Sequence, residues 1–179
     1  NKPQTTRHNL LGIKTFADCQ MVFVDTPGIH QKQQKLLNRY MNKQAKSALN
    51  GVEVIYWLVE AGKLTDDDKQ ISKILPNDIP VILVVNKIDK VKDKNLLLPF
   101  IEECKSLAEV VKILPISAQT GDQVDVLLDA TKQILPDGPQ LFPEGMDTDK
   151  SQEFMASEFL RERLMHQLGD ELPYSLSIG

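Results

Sequence analysis

Three apolar runs constrain this chain more than any other feature. Val52–Val59, Pro80–Val85 and Val110–Ile116 are each nearly continuous in Val, Ile and Leu, and the stretches between them carry helical periodicity. Runs of this kind read as strands covered on both faces, which is the situation of a parallel sheet with crossover helices. Strand–helix alternation of this kind predicts a doubly wound α/β domain. In such a sheet the loops at the carboxyl ends of the strands share one edge, and ligands bind there.

Three loops on that expected edge carry chemistry. Met21–Val24 runs into Asp25-Thr26-Pro27-Gly28, Pro80–Val85 into Asn86-Lys87-Ile88-Asp89, and Val110–Ile116 into Ser117-Ala118-Gln119-Thr120-Gly121. Asp25, at the end of a buried strand, suits a cation beside a phosphate, and Gly28 lets a backbone N–H approach closely. Alone, Asp-Thr-Pro-Gly is only a weak turn-like match. Asp89 is the sharper feature. An ionised carboxylate accepts two hydrogen bonds and matches the N1–H and N2–H pair of guanine; adenine lacks that pair and would leave the carboxylate desolvated. Asn86 can donate toward N7 and tie neighbouring loops. Lys87 can lay its aliphatic stem along the base while its ammonium stays wet. A backbone N–H near Ala118 can meet O6.

Around these loops the pattern predicts a full set of elements. Residues 1–6 read as a loop. Arg7–Phe16 and Cys19–Val24, joined through Ala17-Asp18, form an antiparallel pair, because so short a connection permits nothing else. A helix spans about Gln33–Leu49. Thr65 caps a second, with Asp66, Asp67 and Asp68 in its first turn. Pro99–Ala108 is a third, and Asp122 caps a fourth through Leu135. Pro136–Lys150, with three prolines and two glycines, reads as a linker, and Ser151 starts an amphipathic helix through about Leu168. The expected domains are therefore 1–135, a linker 136–150, and a separate start at 151–179. Trp57 is expected in the core. His8, His30 and His166 lack metal-ligand partners and read as surface residues. Lys32, Lys35, Arg39, Lys43 and Lys46 make one basic stripe on the helix after Gly28; a contact with RNA phosphates or with an acidic partner surface competes there with a plain solvated face.

Composition removes other classes. The 179 residues are 41% hydrophobic and 26% charged with net charge −4, so mild acidity does not announce a nucleic-acid binder. No apolar run reaches membrane-spanning length and no signal peptide is visible. The two cysteines, Cys19 and Cys104, have no metal spacing, which points to reduced, inert thiols and a cytoplasmic setting.

Taken together, Gln4-Thr5-Thr6-Arg7-His8, Asp25-Thr26-Pro27-Gly28, Asn86-Lys87-Ile88-Asp89 and Ser117-Ala118-Gln119 resemble the two switches and the guanine loops of translation-factor-type GTPases of the Era family. Residues 151–158, Ser-Gln-Glu-Phe-Met-Ala-Ser-Glu, and Leu172-Pro173-Tyr174-Ser175 resemble the opening of that family's KH domain. The resemblance implies a P-loop NTPase-type sheet, GTP and GDP as ligands, and hydrolysis of GTP with Mg²⁺. It implies a switch role in small ribosomal subunit assembly, through ribosomal RNA. A cytoplasmic setting follows, with peripheral contact to the inner membrane. It gives nucleotide contacts to Thr6, Asp25, Gly28, Asn86, Lys87, Asp89, Ser117, Ala118 and Gln119. Mg²⁺ falls to Asp25 and to Thr6, with Thr5 as the competitor of Thr6. The rivals are a related tRNA-modifying or ribosome-assembly GTPase, and a nucleotide-free RNA- or protein-binding module.

The sequence departs from that pattern in three places. None of the nine glycines falls in a Gly-x-x-x-x-Gly-Lys-[Ser/Thr] motif, so the first strand and P-loop are expected to be missing and these residues to be inactive alone. The KH-like segment ends after its first helix, before any Gly-x-x-Gly clamp. Ile29 follows Gly28 where Ras-like enzymes carry a water-orienting Gln, so the catalytic group stays unnamed.

Overall fold

The computed structural model describes residues 11–24 and 51–167. Thr6, Asp25, Gly28, the helix expected at 33–49 with its basic stripe, and the segment from 168 onward lie outside the described residues.

The chain divides into two compact units, the described part of Gly28–Pro139 and that of Asn1–Pro27 with Gln140–Gly179. In the first, β3 (Ile55–Glu60), β4 (Val81–Asn86) and β5 (Lys112–Pro115) form a parallel sheet in the order β3-β4-β5. The register sets Ile55 beside Val81 and Glu60 beside Asn86, so the carboxyl ends of β3 and β4 are level. Val85 lies beside Pro115, the last residue of β5. Proline is tolerated there because the ladder ends with it.

β4 is buried from Val81 to Val85, as a central strand of a doubly wound sheet must be. Its side chains alternate between two cores. Val81, Leu83 and Val85 pack with Trp57 and Val59 and with Phe100 and Cys104 of α2 (Leu97–Lys105). Ile82 and Val84 pack with Ile116 and with Leu127 of α3 (Val124–Lys132). Trp57 is 2% exposed, the core position expected of it. Tyr56 ties α3 to the sheet: its hydroxyl lies 2.6 Å from Thr131 Oγ1, which itself donates to the Leu127 carbonyl at 2.7 Å. Thr131 has one hydroxyl proton, so Tyr56 is the donor of that pair.

Helix starts show where local signals suffice and where they do not. Thr65 caps α1 (Asp66–Ser72) in a full capping box: Thr65 Oγ1 accepts from the Asp68 N–H, and Asp68 Oδ2 accepts from the Thr65 N–H at 2.8 Å. Asp122 does not cap α3. The cap position is Gln123, with φ 61° and no side-chain cap bond. The Asp122 carbonyl instead accepts from the Ser117 N–H at 2.9 Å, which commits that residue to the loop after β5.

In the other unit, β1 (Leu11–Thr15) and β2 (Gln20–Val24) are an antiparallel pair with Leu11 opposite Val24. The Phe16 N–H to Cys19 carbonyl bond at 2.8 Å closes their turn. Part of the Pro- and Gly-rich stretch is fastened to this hairpin. The Ile13 N–H donates to the Asp147 carbonyl at 2.8 Å, and the Leu11 N–H to Asp149 Oδ1 at 3.2 Å. Gln20 uses its whole side-chain amide: Oε1 accepts from the N–H groups of Leu141 (3.0 Å) and Phe142 (2.9 Å), and Nε2 donates to the Phe142 carbonyl and Thr15 Oγ1, both at 2.9 Å. Then α4 (Gln152–Gln167) begins, with Ser151 Oγ accepting from the Phe154 N–H at 3.3 Å. No helix among the described residues is long and apolar enough to cross a membrane.

Candidate functional site

Two loops meet at the carboxyl edge of the parallel sheet, one from β4 and one from β5. Parallel strands in register place Asn86 and the residues after Pro115 at the same end. The Ile116 N–H to Val85 carbonyl bond (2.8 Å) and the Ile88 N–H to Ile116 carbonyl bond (3.2 Å) then lace the two loops together.

Asn86 is the joint. Its Oδ1 accepts from the N–H of Lys87 at 2.7 Å and from that of Ala118 at 3.0 Å. Both partners can only donate, so the amide orientation follows from the chemistry: oxygen toward the protein, Nδ2 left over. Nδ2 has no acceptor among the described residues, and it is the donor that a purine N7 requires.

Lys87 has φ 66° and ψ 36°, a left-handed conformation uncommon outside glycine. Such a residue persists where its surroundings over-determine it, and these cluster at ligand sites. The turn swings the chain into a short 3₁₀ segment, Ile88–Lys90, which carries Asp89. The Lys87 ammonium forms an ion pair with the Glu60 carboxylate at the end of β3.

Asp89 is held by the neighbouring loop. Ser117, fully buried, donates its hydroxyl to Asp89 Oδ1 at 2.6 Å. Ser117 Oγ accepts in turn from the Thr120 N–H at 3.2 Å. The serine backbone is fixed as well: its carbonyl accepts from Gly121, at 2.9 Å, as its N–H donates to Asp122. Gly121 has φ +82°, which a side chain would strain. Asp89 is thus an exposed carboxylate on a rigid mount. Oδ2 has no partner among the described residues, and Oδ1 keeps a second lone pair.

The structure brings Asn86, Lys87, Asp89, Ser117 and Ala118 together, with exposed Gln119 beside them. Thr6, Asp25 and Gly28 lie outside the described residues. One detail differs from the simplest expectation. The Ala118 N–H already donates to Asn86, so O6 of a base must share it or use the next N–H, that of Gln119. Glu60 was missed by sequence reasoning, although in the sequence it closes an apolar run as Asp25 does, and that signal was available. Its carboxyl is held below the ordinary range first by the Lys87 hydrogen bond, with the charges of Lys63 and Lys90 adding to it. Among the described residues no group of three or more His, Cys, Asp or Glu could hold a metal ion.

Known proteins resemble this chain over most of its length. The family described as 50S ribosome-binding GTPase matches residues 1–87. GTPase Era of Coxiella burnetii (strain Dugway 5J108-111) is 47% identical over 177 residues, covering 99% of this chain. The chain is similar to the bacterial GTPase Era over almost its whole length. It spans about 60% of the length of that relative. Era of Stenotrophomonas maltophilia (strain R551-3) is 45% identical over 179 residues, again covering 99% of this chain and 60% of the relative.

Solved Era structures agree. Era in complex with MgGDPNP and nucleotides 1506–1542 of 16S ribosomal RNA matches with TM-score 0.78 and 36% identity, over 96% of this chain and 59% of that one. Aquifex aeolicus Era bound to GDP·AlF4⁻ matches with TM-score 0.77 and 36% identity over the same shares. The fold is therefore that of a P-loop GTPase. The family-level description names the large subunit, whereas the Era structure holds RNA of the small one. The Era match covers 96% of the chain and the family-level one residues 1–87.

Proposed function

We propose that this chain belongs to a GTP-binding, GTP-hydrolysing switch that acts in small ribosomal subunit assembly through ribosomal RNA, in the cytoplasm with peripheral contact to the inner membrane. One observation carries the nucleotide half of this reading: an exposed aspartate fixed by a buried serine, beside an asparagine whose Nδ2 is left to donate. Asp89 accepts N1–H and N2–H of guanine, Asn86 donates to N7, and the Lys87 stem lies on the base face. Adenine offers Asp89 no such pair, so the site would pay the desolvation of a carboxylate without recovering it.

Thr6 and Asp25 are the proposed Mg²⁺ contacts and Gly28 a phosphate contact. When bound, Mg²⁺ would offset charge on the phosphates. Ile29 has no polar side-chain atom with which to orient the attacking water, so another group does so. The partner half rests on similarity to an Era structure that holds 16S ribosomal RNA.

The test is competition on the full-length protein. Guanosine diphosphate should displace a fluorescent guanine nucleotide and adenosine diphosphate should not, and the GTP-loaded protein should bind small ribosomal subunits. Equal competition by the adenine nucleotide would overturn the site assignment; absence of subunit binding would overturn the partner.

A further inference from the structure

Glu60 stands outside every motif in the chain, yet it touches the guanine loop. It is the last residue of β3, level with Asn86 in the register, and the Ala61 N–H donates to the Asn86 carbonyl at 2.8 Å. β3 therefore reaches the start of the loop through its backbone and the lysine of the loop through a carboxylate. Lys87 has four methylenes to place. Its backbone is left-handed, and Glu60 Oε2 is the group that receives its ammonium. The side chains remain 24% and 35% exposed, so the pair sits at the rim, where a ligand can lie against the stem.

We propose that Glu60 is a positioning residue for the nucleotide base: by holding the Lys87 ammonium at the end of β3, it fixes the lysine's aliphatic stem as one wall of the guanine slot. This rests on the guanine-nucleotide reading above. A stem already held in place loses little rotamer freedom when the base arrives, whereas a free lysine must give up most of its freedom at that moment. Glu60 acts only through Lys87. It sets affinity for the base and leaves the choice between guanine and xanthine to Asp89.

A double-mutant cycle on the full-length protein tests this, read by titration with a fluorescent guanosine diphosphate. Glu60→Ala and Glu60→Gln should each weaken binding about three- to tenfold, mainly through faster release. In a Lys87→Ala background the same changes should have no further effect. The discrimination between guanine and xanthine nucleotides should be unchanged in both Glu60 variants. Should Glu60→Ala lower the thermal midpoint, the isosteric Glu60→Gln decides. Parental affinity in Glu60→Gln, or an equal loss with and without Lys87, overturns the proposal while the guanine reading stands. Failure of the parent protein to bind guanosine diphosphate overturns both.

Discussion

The Ser117 hydroxyl donates to Asp89 Oδ1 across 28 residues of sequence, at 2.6 Å. The donor is fully buried and the acceptor exposed, so one end of the bond belongs to the core and the other to the ligand edge. Any freedom in Ser117 becomes freedom in the carboxylate proposed to read the base.

Ser117→Ala should therefore cost nucleotide affinity more than it costs stability. The charge-assisted bond is lost, and so is the acceptor for the Thr120 N–H. We expect guanosine diphosphate affinity to fall by about 1–2 kcal/mol, from titration of the full-length protein. An unchanged dissociation constant would mean that Asp89 is held well enough without its serine.

Asp89→Asn should exchange one base for another. Xanthine carries a carbonyl where guanine carries its amino group, and an amide can donate to it where a carboxylate cannot. Guanosine triphosphate should weaken and xanthosine triphosphate should improve in direct competition. An unaltered order of preference would count against Asp89 as the reader.

The Glu60–Lys87 pair has a pH signature. The Glu60 carboxyl lies below its ordinary value, first because Lys87 donates to it and then because Lys63 and Lys90 are near. A depressed folded-state value means that the pair contributes stability above the unfolded-state value and loses it as pH falls through the lower, folded one. The thermal midpoint of the parent should fall more steeply than that of Glu60→Gln as pH drops below about 4.5. Parallel curves for the two would show that the pair contributes nothing to folding.

Gln20→Leu should loosen the fastening of 141–142 while leaving the parallel sheet intact. Four hydrogen bonds are lost, and the N–H groups of Leu141 and Phe142 lose their acceptor. Hydrogen exchange at those two amides should accelerate by an amount equal to roughly 1–3 kcal/mol of local stability. Amides of β4 should be unaffected. Unchanged exchange at 141–142 would show that the Ile13 and Leu11 bonds alone hold the segment.

What could be read in advance was local. Apolar runs announced β3, β4 and β5, because a strand buried on both faces has nowhere to place a charge. Thr65 announced its helix, because both partners of a capping box lie within four residues. Asp122 misled for the opposite reason: its composition suits a cap, but its carbonyl is taken by Ser117, five residues back across the loop. The Glu60–Lys87 pair depends on the relative register of two strands, which neither strand encodes by itself. Gln20 meets partners more than 120 residues away. The prolines and glycines of 136–150 ruled out a helix and a long strand there, but composition could not say what the segment would be bonded to. In the site, the four residues at 86–89 and the three at 117–119 were recognisable as motifs. Their mutual anchoring through Asn86 Oδ1 joins residues 32 apart, which neither motif encodes by itself.

The fastening of 141–149 to the hairpin changes the arithmetic of tethering. A free coil of about 15 residues has a root-mean-square span of roughly 20 Å, and a domain hung from it would sample a wide volume. Here the last anchor, Asp149, stands only three residues before the first of α4, so the helix leaves the hairpin on almost no slack. Whatever α4 introduces is then held near one exit point, at a high effective concentration toward any partner that also touches the hairpin. Binding through the two together gains by avidity, and lengthening the chain between Asp149 and Gln152 with glycines would dilute that gain while leaving the bonds of Asp147 and Asp149 to the hairpin in place.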